Sequence, residues 1–221
     1  MKYYIILIVI INCIIMSMVD AIIMPPYFVK SFIKVLLFTV VPITFYIKSK
    51  DDSLRTMFIP KMNGIIFSFV IGVIIFFVIT ASYFGFKNIF DFSNVTTSLT
   101  EDIGVNVDNF MFVFIYINFI NSFLEEFFFR GFAFLTLKRY VNKKFCYIFS
   151  SLTFALYHVA MIFTWVSPIL VALAVLGLFI GGIIFDYIND RYENIYASWI
   201  IHMFANLGIN TVGFILFTTI S

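Results

Sequence analysis

Charge is what this 221-residue chain has least of: 12% of its residues are Asp, Glu, Lys or Arg, while 62% are hydrophobic. A soluble domain carries about 25% charged and about 45–50% apolar residues, so a chain of this composition has no means of covering its surface in water. Lipid must be the solvent for most of it. The net charge of +2 is too small for a nucleic-acid binder, and no Lys/Arg cluster is interleaved with aromatics as such binding requires. Cysteine is almost absent. Cys13 and Cys146 both lie in apolar stretches, which suits small buried side chains and argues against a disulfide pair or a metal set. Five prolines and ten glycines are too few for a low-complexity chain, and no internal repeat recurs at a fixed period. There are two histidines, His158 and His202.

Long apolar runs are abundant. A span needs about 20 mostly apolar residues, and seven segments qualify, at about 3–24, 30–47, 62–86, 109–137, 145–165, 167–188 and 196–219. The fold expected is an all-α, polytopic transmembrane helical bundle of about seven spans. Met1-Lys2 followed by Tyr3 to Val19 has the outline of a signal peptide, but no small-x-small cleavage site closes it and the run resumes at Ala21-Ile22-Ile23-Met24. It is read as a retained first span. Spans five and six are separated by Val166-Ser167-Pro168, a tight turn with proline at the start of the next helix.

Loop charge sets the orientation. Lys48, Lys50, Arg55 and Lys61 follow the second span, and Lys138, Arg139, Lys143 and Lys144 follow the fourth. Between them, residues 87–108 hold Lys87 against Asp91, Glu101, Asp102 and Asp108. The positive-inside rule places both basic loops in the cytosol and the acidic loop outside. Lys30 and Lys34, flanking an outer turn, are the exception. Tyr3, Tyr4, Tyr140, Trp165 and Tyr196 sit near span boundaries and read as interfacial anchors. Composition also divides the chain: residues 1–108 hold three spans and the acidic loop, and residues 109–221 hold four spans with nearly all the buried ionisable groups. The catalytic core is expected in those last four.

An ionisable residue inside a membrane is expensive and therefore a functional candidate. Span four contains Asn118-Phe-Ile-Asn121-Ser122-Phe-Leu-Glu125-Glu126-Phe-Phe-Phe-Arg130-Gly131. Adjacent helical residues point about 100° apart, so the two glutamates need not share a partner. Glu126 and Arg130 are i,i+4 and can pair, which leaves Glu125 directed elsewhere, without a local counter-charge. The bland alternative is a structural Glu–Arg pair with a spare, protonated glutamate. Span five contributes Phe154-Ala-Leu-Tyr-His158, and span seven His202-Met-Phe-Ala-Asn206, with Asn210 a turn further on. A lone intramembrane histidine is usually a packing residue. Two of them, with a glutamate pair and an i,i+4 asparagine on three helices, point to a site. At 1.5 Å per residue, Glu125 and His158 lie roughly 18–20 Å from the basic ends of their spans, Asn206 about 15 Å and His202 about 9 Å. All four can converge in one cavity in the cytosolic half. Asp186, Asp190, Arg191 and Glu193 read as an ordinary solvated turn.

In this order, Glu125-Glu126-x-x-x-Arg130, Phe154-x-x-x-His158 and His202-x-x-x-Asn206 resemble the three signatures of the CPBP intramembrane proteases, also called the Abi or CAAX-protease family. The resemblance covers about residues 110–215. Leu176-Gly-Leu-Phe-Ile-Gly-Gly182 also looks like the family's glycine-rich sixth helix, where Gly177 and Gly181 would serve close helix packing. The resemblance implies an intramembrane endopeptidase acting on a membrane-embedded or lipidated peptide or protein. In it, Glu125 would be the general base with His158 helping to activate water, His202 and Asn206 would stabilise the oxyanion, and Glu126 with Arg130 would hold the site. Eukaryotic members remove the last three residues of prenylated proteins, and bacterial relatives are linked to bacteriocin immunity and peptide maturation.

No cofactor is expected. Zinc is the alternative, since His158, His202 and a carboxylate could supply three ligands, but there is no His-Glu-x-x-His and asparagine is a poor ligand. A Gly-x-Ser-Gly serine site and a Gly-x-Gly-Asp aspartyl site are both missing. Richness in Ile, Phe, Lys and Asn suggests an AT-rich genome, hence a multi-pass protein of a bacterial cytoplasmic membrane. Two readings compete with the protease: a non-catalytic immunity or regulatory protein keeping the fold, and a small proton-coupled transporter. Against the transporter stand the missing inverted repeat and the missing pair of broken helices.

Overall fold

The computed structural model describes residues 1–90, 92, 97, 109–163 and 166–220. Asp91, Glu101, Asp102, Asp108 and Trp165 lie outside the described residues. The chain is 87% helical, with no strand among the described residues. Among the described residues seven helices are long and apolar enough to cross a membrane: α1 Lys2–Ile23, α2 Tyr27–Ser49, α3 Met62–Phe86, α4 Phe110–Arg139, α5 Lys143–Ile162, α6 Pro168–Tyr192 and α7 Tyr196–Thr218. All are within a few residues of the expected spans. Apolar side chains such as Leu7, Ile74, Phe77, Leu173 and Ile180 face outward, as lipid contact requires.

Local chemistry sets the ends. Met24 adopts the left-handed conformation (φ 44°), and Pro25-Pro26 cannot continue the helix, so the chain reverses into α2. Asn142 caps α5 through its side chain, which accepts from the Lys144 amide at 2.8 Å. Pro168 opens α6 in the first turn, where its missing N–H costs nothing. Asn194 accepts from the amides of Tyr196 and Ala197 at 3.1 and 3.3 Å and so starts α7.

The two basic loops lie at one end of the bundle and are tied there by acids. Asp51 accepts from Arg139 and from the Tyr140 hydroxyl, each at 2.5 Å. Asp190 accepts from Lys138 at 3.2 Å and pairs with Lys143. A single-turn helix, Ser53–Met57, plugs this end. Its Ser53 hydroxyl lies 2.9 Å from Thr136 Oγ1, which also meets the Tyr46 hydroxyl at 2.7 Å. Above it sits an aromatic core in which Phe38 of α2 stacks on Phe128 of α4, with ring centroids 4.1 Å apart and planes 6° apart. Phe129 meets Phe154 of α5 edge-on at 5.3 Å.

Glycine placement differs from the expectation. A Cβ on Gly177 or Gly181 would meet nothing within 4 Å, so this pair makes no close helix contact. The tight approach is at Gly182, where a Cβ would lie 2.9 Å from the Ser151 Cα of α5. Gly177 and Gly181 sit on the side of α6 that faces away from its neighbours, and spacing alone could not separate the two faces.

Candidate active site

Helix α4 departs from α-helical winding where the site forms. Tyr116–Asn121 and Glu126–Thr136 are π-helical, on either side of a single α turn, Ser122–Glu125. Such stretches recur at functional sites because the wider turn re-aims side chains. A π turn also rises less per residue than an α turn. Glu125 is therefore nearer the basic end than the α-helical rise implies, and this brings it level with the shallower His202.

The two glutamates diverge. Glu125 is 1% exposed, and its Oε2 lies 3.6 Å from His158 Nε2 and 3.5 Å from His202 Nε2. Its Oε1 accepts from Lys34 Nζ at 2.5 Å and from Asn121 Nδ2 at 3.1 Å. Glu126 turns the other way, with Oε1 2.9 Å from His202 Nδ1 and 3.4 Å from Arg130 Nη1. Arg130 is fully buried. Its Nε lies 3.7 Å from Asp186, and its guanidinium sits 4.0 Å from the Phe154 ring centroid, a cation–π geometry. Asp186 in turn accepts from Ser150 and Ser151 at 3.0 Å each.

The partners fix both imidazole tautomers. His158 Nδ1 is 2.7 Å from the Phe154 carbonyl; a carbonyl only accepts, so Nδ1 carries the proton and the neutral ring turns an Nε2 lone pair toward Glu125. His202 Nδ1 donates to the Glu126 carboxylate in the same sense. One carboxylate oxygen therefore confronts two ring nitrogens from two further helices.

Glu125, His158 and His202 are thus brought together, with Glu126 and Arg130 behind them. Asn206 is not in that contact set: its amide donates to the Ile117 carbonyl at 3.2 Å. Asn210 reaches Asn118 Oδ1 at 3.5 Å. Glu125 has no counter-charge on its own helix and meets Lys34 of α2 instead. One expectation needs correction. Asp186 is not in a solvated turn; it is 0% exposed and closes the Arg130 network. Asp190, four residues later on the same helical face, stays at the loop end; about 6 Å of rise along the helix parts the two. Lys34 is an intramembrane lysine, the signal that marked Glu125, but its place next to an outer turn hid it.

No group of three or more His, Cys, Asp or Glu among the described residues could hold an ion. Zinc binds imidazole nitrogen at about 2.0–2.1 Å with carboxylate oxygens beside it. Here one oxygen of Glu125 is engaged by an ammonium.

Residues 107–208 match the model of the family described as type II CAAX prenyl endopeptidase Rce1-like. The motif-bearing segment is thus similar to that family. The match takes in Glu125, His158, His202 and Asn206 but not α1, α2 or α3. No curated protein and no solved structure matches the chain.

Proposed function

We propose that this protein is a metal-free endopeptidase that hydrolyses a peptide bond in a membrane-associated peptide or protein, using water activated by Glu125. The carrying observation is Glu125 Oε2 set 3.5 and 3.6 Å from the two Nε2 atoms, which gathers a carboxylate and two ring nitrogens around one point at which a water can be held. Glu125 takes a proton from that water while His158 Nε2 accepts the second hydrogen bond and orients it. The hydroxide oxygen adds to the scissile carbonyl. Glu125, now a carboxylic acid, passes its proton to the leaving nitrogen, giving one new carboxyl and one new amine.

The oxyanion needs donors. His202 donates from Nε2 when that atom also carries a proton, as an imidazolium whose Nδ1–H remains on Glu126. Asn206 adds a second donor once its amide leaves the Ile117 carbonyl. In a low-dielectric site each such donor is worth about 2.7–4 kcal/mol. Arg130, 3.4 Å from Glu126 Oε1, fixes that carboxylate so that it can hold the ring. The basic end is placed in the cytosol of a bacterial membrane, and the substrate class includes lipidated chains.

Cleavage of a pool of lipidated and unlipidated peptides by purified protein tests the reading. Wild type should cut at least one member, and Glu125→Ala and His202→Ala should each lose about 10²–10⁴-fold in rate. If all three proteins are inert while both variants still complement a deletion strain, a non-catalytic immunity or regulatory role replaces it.

A further inference from the structure

One buried cation near the site belongs to none of the three motifs. Lys34 projects from α2, is 5% exposed, and lies two residues before the π-helical segment Leu36–Val40. Its Nζ is 2.5 Å from Glu125 Oε1 and 2.5 Å from Asn121 Oδ1. The faces of Tyr157 and Phe38 lie 5.1 and 5.5 Å from it. The other lysine of this helix segment, Lys30, is spoken for by Asp20 at 3.1 Å. Asn121 closes the arrangement into a ring: it accepts from Lys34 and donates to the same Oε1 at 3.1 Å. Oε1 thus takes two hydrogen bonds, and the torsional freedom that would let Glu125 swap its oxygens is gone. Oε2 is what remains for the imidazoles.

We propose that Lys34, on a helix that the family match does not cover, is a positioning residue of this active site, holding Glu125 ionised with Oε2 turned toward His158 and His202. The active site is then assembled from α2 as well as α4, α5 and α7, and the segment 107–208 alone is catalytically incomplete. A buried pair of this kind is a poor source of stability, because both ions surrender their hydration. A structural role alone would be served as well by two apolar side chains. What the pair supplies is the charge state and aim of one carboxylate.

The effect on turnover rests on the proteolytic reading above; the effect on the carboxyl does not. The experiment compares wild type with Lys34→Met, Lys34→Arg and Glu125→Gln in the full chain, by infrared difference spectroscopy and by peptide cleavage. The wild type minus Glu125→Gln spectrum should contain an ionised carboxylate stretch. Lys34→Met should replace it with the carbonyl stretch of a protonated carboxyl, and Lys34→Arg should keep the carboxylate. Lys34→Met should lose about 10²-fold in kcat with KM unchanged within about threefold, the size of effect that misplacing a catalytic group produces. Lys34→Arg should recover all but about tenfold of it. An unaltered carboxylate stretch in Lys34→Met, or equal loss in Lys34→Met and Lys34→Arg, would overturn the proposal. Should Lys34→Met not fold, Lys34→Gln, which keeps a donor toward both partners without the charge, is read in the same way. Wild type inert on every peptide defeats the protease reading, while the spectra still decide Lys34.

Discussion

Two adjacent glutamates take different roles here because one residue of helix turns a side chain about 100°. Glu125 faces three other helices, and Glu126 faces its own arginine and the far nitrogen of His202. Glu126→Gln should therefore damage both catalysis and stability. Arg130 would keep only Asp186 as a carboxylate partner, and breaking a buried ionic group by removing one partner costs about 3–5 kcal/mol. The rate should fall as well, because a glutamine cannot support His202 as an imidazolium. Thermal unfolding and single-turnover cleavage of the same preparation check the two halves; full stability with full activity would remove Glu126 from the account. At this scale the motif residues were legible from the cost of charge in lipid. Lys34 was visible by the same rule but assigned to a turn. Asp186 was obscured by the charged residues that follow it in sequence, although its partners Ser150, Ser151 and Arg130 come from two other helices.

Among the elements, α4 carries the most information and was the hardest to foresee. Its length and apolarity mark a span, but π winding at Tyr116–Asn121 and Glu126–Thr136 leaves no trace in hydrophobic periodicity. The depths inferred from α-helical rise thus separated His202 from Glu125, when in the structure the two are 3.5 Å apart. Glycine contacts were misread for a related reason: spacing identifies a stripe and not the neighbour it meets. Gly182→Val should push α6 off α5 at Ser151 and disturb the serine hydrogen bonds to Asp186, costing about 1–3 kcal/mol by overpacking. Gly177→Val, with open space around it, should change stability by no more than about 0.5 kcal/mol. Melting temperatures in one detergent decide between them, and a reversed order would refute the assignment of the close contact.

For the whole molecule, the ends of the bundle matter as much as its core. Asp51 joins the α2–α3 loop to the end of α4 through Arg139 and Tyr140. Burial works to raise its carboxyl, but hydrogen bonds from Ser53 and Tyr140 and the charge of Arg139 outweigh it and hold the group below the usual carboxylate range. A carboxyl depressed in the folded state stabilises it above the unfolded value of about 3.9, and that contribution is lost as pH falls through the lower folded value. Melting temperature should thus fall more steeply with acidification below about pH 4 in wild type than in Asp51→Asn. Equal slopes would mean that this tie does not hold the two loops together. Seven spans, and the clustering of both basic loops at one end, were readable from hydropathy and loop charge. The convergence of α2 on the site was not, because no local pattern encodes which distant helix a lysine will meet.

The most direct test of the central claim is single-turnover cleavage of one identified substrate by the purified full-length protein, with wild type and Glu125→Gln each assayed with and without a zinc chelator. The expected result is an unchanged wild-type rate under chelation and a loss of about 10²–10⁴-fold in Glu125→Gln under both conditions. Cleavage abolished by the chelator and restored by zinc, or a Glu125→Gln enzyme as fast as wild type, would contradict it.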